Sequence, residues 1–284
     1  MSRRRSGRSD SSAPQPLKVD FGFFVTLRLA LSGFRGSFGR LSAWTILAGV
    51  SAAVVCALPI LLGMANYVRY GVQAWQGLAG GTIALIGLLV LVVSWAFLLT
   101  PAGGAVLVDH SLRDDELPFG EAMGRAAMAV LFRSTSLSAI FAVYLALVTL
   151  FVLPGLAAFY WLFHLTGSEL LPTIFLAGEV GVGLVFLVAT LGLAVPVCLL
   201  EDVSAGPALA RSWALSSQGL SSMAGLSALY VGVGFVAHVP FALAGLGNLG
   251  WMASFTVGAL FLPALLVAAY HGLAAEDARI LGRQ

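Results

Sequence analysis

Glu179 and His238 are the side chains in this sequence whose chemistry and position most invite a function. Glu179 is the one carboxylate well inside an apolar stretch, where an ionisable group costs several kcal/mol unless it is protonated, paired or hydrated. At about 1.5 Å per residue, counted from the outer ends of their stretches, Glu179 and His238 both fall about 12 Å deep. A Glu–His pair at that depth can relay protons, bind a cation or clamp two helices together. Gly178, Gly181 and Gly183 beside Glu179 permit the close helix approach that a clamp requires, and the clamp is the favoured reading.

Other constellations carry less. Asp109, His110, Asp114, Asp115 and Glu116 form an acidic cluster, but without helical i, i+4 ligand spacing it reads as a solvated loop, with Arg113 partly neutralising it. Gly245-Leu-Gly247-Asn-Leu-Gly250 matches a dinucleotide fingerprint literally, yet it joins two apolar stretches with no strand before it and reads as a tight turn. Cys56 and Cys198 sit at different depths in different stretches, which argues for two packing thiols over a disulfide or a zinc site. No nucleophile elbow, P-loop or His-Glu-x-x-His motif is present, so no catalytic, cofactor or metal site is expected. The basic N-terminal segment has no folded recognition element beside it, so nucleic acid is not expected as a partner.

The elements that must position Glu179 and His238 are helices. The sequence is 59% hydrophobic and 10% charged, against about 25% charged in soluble domains. Six apolar stretches, approximately Leu41–Met64, Leu78–Val108, Ser136–Phe163, Leu171–Leu200, Gly219–Leu246 and Leu249–Ala275, each reach the roughly 20 residues needed to cross a bilayer. Backbone satisfaction in lipid favours helices, and the ten-residue alternation of a membrane barrel is missing. If the first stretch crosses outward, every one of the 15 Lys and Arg residues except Arg69 falls on one side. Basic residues collect in the cytoplasm, which predicts a multi-pass protein of the cell membrane with both termini inside. The run Ser2-Arg3-Arg4-Arg5 is not read as an export signal, because the first apolar stretch begins only at residue 41 and is too long for one.

Residues 1–19 are too polar to fold and are expected to be a disordered basic tail attracted to anionic headgroups. Asp20 can cap a following helix in which Phe24, Leu27, Leu31, Phe34, Phe38 and Leu41 form a stripe opposite Arg28 and Arg35, the pattern of an interfacial helix. Residues 20–284 read as one six-helix domain with an internal repeat. An 86-residue offset places Arg125 on Arg211, Tyr144 on Tyr230 and Pro154 on Pro240. The expected architecture is all-α: a polytopic bundle of three tandem units, about 20–110, 111–200 and 201–284, each an amphipathic interfacial helix followed by a transmembrane hairpin. In the second unit Pro118 opens a helix in which Glu121 and Arg125 pair and Phe119, Met123, Ala126 and Val130 form the apolar side. In the third, Ser204 can cap a helix carrying Arg211, Ser212 and Trp213, with Arg and Trp as interfacial anchors.

The stretch from Pro196 through Glu201 to Arg211-Ser212-Trp213 resembles the membrane domain associated with bacterial glycerophosphodiester phosphodiesterases. That family shows a Pro-x(4)-Glu step off a membrane helix and then a short Ala-Leu-x-Arg-Ser-Trp helix, and Pro118 to Arg133 echoes it. The resemblance implies a six-helix membrane module. In the fused enzymes catalysis belongs to a separate soluble barrel, for which the sequence shows no counterpart. The expected function is therefore a non-catalytic module that scaffolds or accompanies a membrane or cytoplasmic protein partner or a lipid-related process. The alternative is a transporter or channel using Glu179 and His238.

Overall fold

The computed structural model describes residues 21–70, 99–113, 117–167 and 170–281. The basic tail, Asp20, residues 78–98 of the second apolar stretch, and Asp114, Asp115 and Glu116 lie outside the described residues. Every element among the described residues is a helix: α1 Phe23–Tyr70, α2 99–112, α3 Phe119–Phe132, α4 Ser134–Thr166, α5 Leu170–Leu191, α6 Ala194–Leu200, α7 Ala205–Gln218, α8 Leu220–Leu243 and α9 Gly247–Leu281. Among the described residues four segments are long and apolar enough to cross a membrane: Ser134–Thr166, Gly181–Leu200, Leu220–Phe241 and Thr256–Leu281. They correspond to the third to sixth apolar stretches of the sequence.

Many large apolar side chains lie on the surface of the bundle. Leu150, Leu153, Leu156, Trp161 and Leu165 on α4, and Phe235 and Val236 on α8, are all exposed. Contiguous apolar exposure on this scale marks a membrane-facing surface. At the centre stands α9, packed on α8 and on α1, while α5 lies between α4 and α8. From Ala264 to Tyr270 every residue of α9 is buried, as expected of a helix that is apolar all round.

The N-terminal segment is one long helix: α1 runs unbroken for 48 residues, about 72 Å at 1.5 Å per residue. Its face towards the bundle is formed mainly by small residues. Thr26, Ala30, Gly33 and Ser37 are buried, whereas Phe24 is 81% exposed and Leu31 and Phe38 are exposed as well. The physical reason is close approach: a Cβ on Gly33 would lie 3.1 Å from Val108 Cγ1, so small residues let α1 sit on α2. Of the stripe, Phe24, Leu31 and Phe38 face outward, while Leu41 is buried and Leu27 and Phe34 pack against the core. On α3, Ala122, Ala126 and Val130 are buried, whereas Phe119 of the expected apolar side is exposed.

Punctuation follows local chemistry. Pro118 precedes the first turn of α3, and Glu121 and Arg125 form the expected i, i+4 pair at 2.8 Å. Gly167, at φ +60°, supplies the left-handed C-cap of α4 and donates its N–H to the Phe163 carbonyl. Pro154, Pro240 and Pro263 stay inside their helices, whereas Pro196 coincides with the interruption between α5 and α6.

Candidate functional site

The interruption at Pro196 organises one end of the bundle. Proline has no N–H to offer the carbonyl of Gly192, and the helix cannot continue through it undisturbed. The carbonyls just before the break then need other donors. Two arrive from neighbouring helices: the Tyr144 hydroxyl of α4 donates to the Leu191 carbonyl, and Ser212 Oγ of α7 donates to the Thr190 carbonyl at 3.2 Å. Ser212 is fully buried in doing so. Pro196 and Ser212, sixteen positions apart in the sequence, thus act on the same stretch of backbone.

The charged residues of the same motif close the other side. Arg211 Nη1 lies 2.7 Å from Asp277 Oδ2 of α9, and its Nε lies 3.6 Å from Glu201 Oε1 at the end of α6. Gln218 donates to Asp277 at 2.8 Å, and the Tyr270 hydroxyl reaches Glu201 at 3.3 Å. Partial burial alone would weaken the hold of Arg211 on its proton, but the two carboxylates outweigh it and raise its pKa. Asp202, next along, adopts φ 56°, a left-handed conformation that Asp tolerates better than most residues. Arg133 grips it from the start of α4, donating to both its carboxylate and its carbonyl oxygen. The Cys198 thiol donates to the Val203 carbonyl at 3.3 Å and fastens the base of this turn. Trp213 is exposed on α7, and Arg125 is exposed on α3.

A second group was not foreseen. Asp109, which the sequence placed in a solvated loop, is buried and accepts from Arg113 Nε at 2.9 Å. Its other oxygen lies 2.7 Å from Nε2 of His271, which has no exposed surface at all. Burial pushes the Asp109 carboxyl up, but hydrogen bonds and charge from His271 and Arg113 prevail, and its pKa falls below the ordinary carboxylate value. The loop reading failed because Arg113 and His271 bring Asp109 inside. One signal was available: Asp109 directly follows an apolar stretch, and His271 sits near the end of another that returns to the same side.

Glu179 and His238, which residue counting placed at one depth, each lie against a different helix. Glu179 is turned towards α4, where a Cβ on Gly155 would lie 2.5 Å from its Oε2, and that oxygen is buried without a hydrogen-bond partner. His238 is turned towards α9, where a Cβ on Gly250 would lie 2.6 Å from its Nδ1. Each therefore packs on a glycine of the helix that forms its hairpin. Among the described residues no group of three His, Cys, Asp or Glu side chains is placed to hold a metal.

An all-helical bundle with four membrane-capable helices, tied at one end by a polar network, is the class that these observations define. Comparison of the chain with protein-family models, with curated proteins and with solved structures gave no match.

The network predicts a moderate loss on removing its arginine. Arg211→Gln should lower stability by about 1 kcal/mol, because its side chain is about a third exposed and solvent screens part of the attraction. Unfolding in mixed micelles, followed by tryptophan fluorescence, measures it. Arg211→Gln combined with Asp277→Asn should cost less than the sum of the two singles, as coupled partners do.

Proposed function

We propose that the chain is a non-catalytic multi-pass module of the cell membrane that scaffolds or accompanies a partner protein or a lipid-related process. On this reading it has six spans in three tandem units and both termini in the cytoplasm. Support for the topology comes from the placement of its basic residues, all but Arg69 on one side. Support for the units comes from the 86-residue offset and from the order short helix, long helix, returning helix. That order runs from Phe119 to Leu200, where the returning helix is split at Pro196, and again from Ala205 to Leu281.

The observation that carries the module reading is the fate of the polar groups. Glu201, Arg211, Asp277, Asp109 and His271 are engaged with one another and with helix ends. Such a network fixes the relative positions of α2, α6, α7 and α9 and presents no converging set of groups to a substrate. The resemblance of the Pro196–Trp213 motif to the membrane domain of glycerophosphodiester phosphodiesterases points the same way, towards a module working beside another activity. The exposed Phe24, Leu31 and Phe38 of α1, with Arg28 and Arg35, suit the boundary of an anionic leaflet.

One observation favours transport instead: the Oε2 of Glu179, buried beside Gly155 without a hydrogen bond. A carboxyl so placed is a default candidate for moving a proton or cation. The two readings separate on Glu179→Gln. The module reading expects purified chain to retain a stoichiometric protein or lipid companion from native membranes, and expects Glu179→Gln to shift the melting temperature while leaving proton and cation movement into proteoliposomes as in the unsubstituted protein. Loss of a measured flux in Glu179→Gln, with expression intact, would sink the module reading.

A further inference from the structure

A cavity of about 440 Å³ lies inside the bundle, between α2, α4, α5, α8 and α9. Its volume is within the roughly 300–1,000 Å³ of small-molecule sites. Phe141, Tyr144, Leu187, Val188, Tyr230 and Leu266 supply most of its wall, and among the described residues no charged side chain lines it. The hydroxyl of Tyr144 is already engaged with the Leu191 carbonyl, so it makes no demand on a guest. Apolar cavities of this kind stay dry and accept apolar guests.

Shape and access narrow the guest further. Leu187 is buried, whereas Leu184, one turn away on the same wall, is 40% exposed, so the cavity opens at the outer face of α5. A smaller recess lined by Phe151, Val152 and Gly183 shares Val148, Leu184 and Leu187 with it and prolongs the same slot between α4 and α5. From Phe141 to Val152 the slot follows α4 for about 17 Å at 1.5 Å per residue. The four helices of its wall other than α2 each contain one of the four membrane-capable segments. The medium at the mouth is then hydrocarbon, present in great excess, and mass action favours filling the slot with it.

We propose that this slot binds one acyl chain of a bilayer phospholipid, with the chain entering past Leu184 and lying between α4 and α5. The proposal rests on the membrane-module reading and names a lipid as its resident companion. Tyr144 and Tyr230, which coincide at the 86-residue offset, both face the guest and give the slot two rigid amphipathic walls.

The test uses the full chain in nanodiscs of phosphatidylcholine doped with a phosphatidylcholine that carries a photoreactive diazirine midway along one acyl chain. After irradiation, labelled peptides are mapped and quantified. The expected result is label concentrated on Phe141–Val148 and Leu184–Val188, above that on the lipid-facing Phe235 and Val236. Val148→Trp together with Leu184→Trp fills the mouth and should lower the cavity label about tenfold, the ratio that about 1.4 kcal/mol of lost contact produces. Label at Phe235 and Val236 should stay constant, which shows that the variant is still inserted. Equal labelling of cavity and outer face, or a cavity label that the two tryptophans leave unchanged, overturns the proposal alone. Absence of label at Phe235 and Val236 as well would overturn the membrane reading beneath it. A slot closed by residues 71–98 of the chain would show as cavity peptides that never label, which also overturns the proposal.

Discussion

Asp109→Ala is expected to cost about 3–5 kcal/mol of stability, because it removes the buried carboxylate that His271 and Arg113 both hold. His271 has no exposed surface, and the Arg113 side chain beside it is only 20% exposed, so neither can turn to water without moving α2 off α9. Asp109→Asn should cost less, since an amide oxygen still accepts a hydrogen bond. His271→Leu should also cost less, because Arg113 continues to pair the carboxylate at 2.9 Å. Reversible unfolding in mixed micelles gives the order directly, and a loss under about 1 kcal/mol for Asp109→Ala would mean that the group is solvated after all. The pH dependence has a definite sign. The native pKa of Asp109 lies below its ordinary 3.8, so this stabilisation is present in full above that ordinary value and is lost as pH falls through the lowered native one. The unsubstituted protein should therefore show no loss from this group between about pH 5 and 8, and an acid-induced loss below about pH 4 that is absent in Asp109→Asn.

Asp109 also shows where reading the sequence runs out. Hydropathy and helix length located the third to sixth apolar stretches, and each coincides with a membrane-capable helix. The Pro196–Trp213 motif announced itself by residue type, and the structure gives Glu201, Arg211 and Ser212 partners. Its energetics depend on partners far along the chain: Asp277 is 66 positions from Arg211 by their numbers, and a local pattern carries no trace of that pairing. The same limit explains α1. The spacing of Phe24, Leu31 and Phe38 marks an apolar stripe, but it does not say that Thr26, Ala30, Gly33 and Ser37 form the close-packed face. For Glu179 and His238, residue counting gave depth but not rotation about the helix axis. The glycines opposite them, Gly155 and Gly250, carry that information, and they are indistinguishable by type from the many others in the chain.

Gly103→Ala is expected to be the next most damaging change, at about 3 kcal/mol, the upper part of the range for overpacking a filled core. A Cβ at position 103 would overlap the indole of Trp44. That ring has little room to yield: Trp44 is 7% exposed, and its Nε1 donates to the Leu99 carbonyl at 3.1 Å on α2. The neighbouring Gly104 is similarly pressed, with the Pro263 ring 2.6 Å from a Cβ placed there, so α2 cannot escape towards α9. The loss should therefore come from displacing α1, α2 and α9 together rather than from a side-chain adjustment. Removing the obstructing ring tests this cause. Trp44→Ala alone opens a cavity and should destabilise by about 3–5 kcal/mol, but in that background Gly103→Ala should become nearly neutral. If Gly103→Ala instead costs the same with and without the indole, the close approach of α1 and α2 is not what makes glycine necessary there.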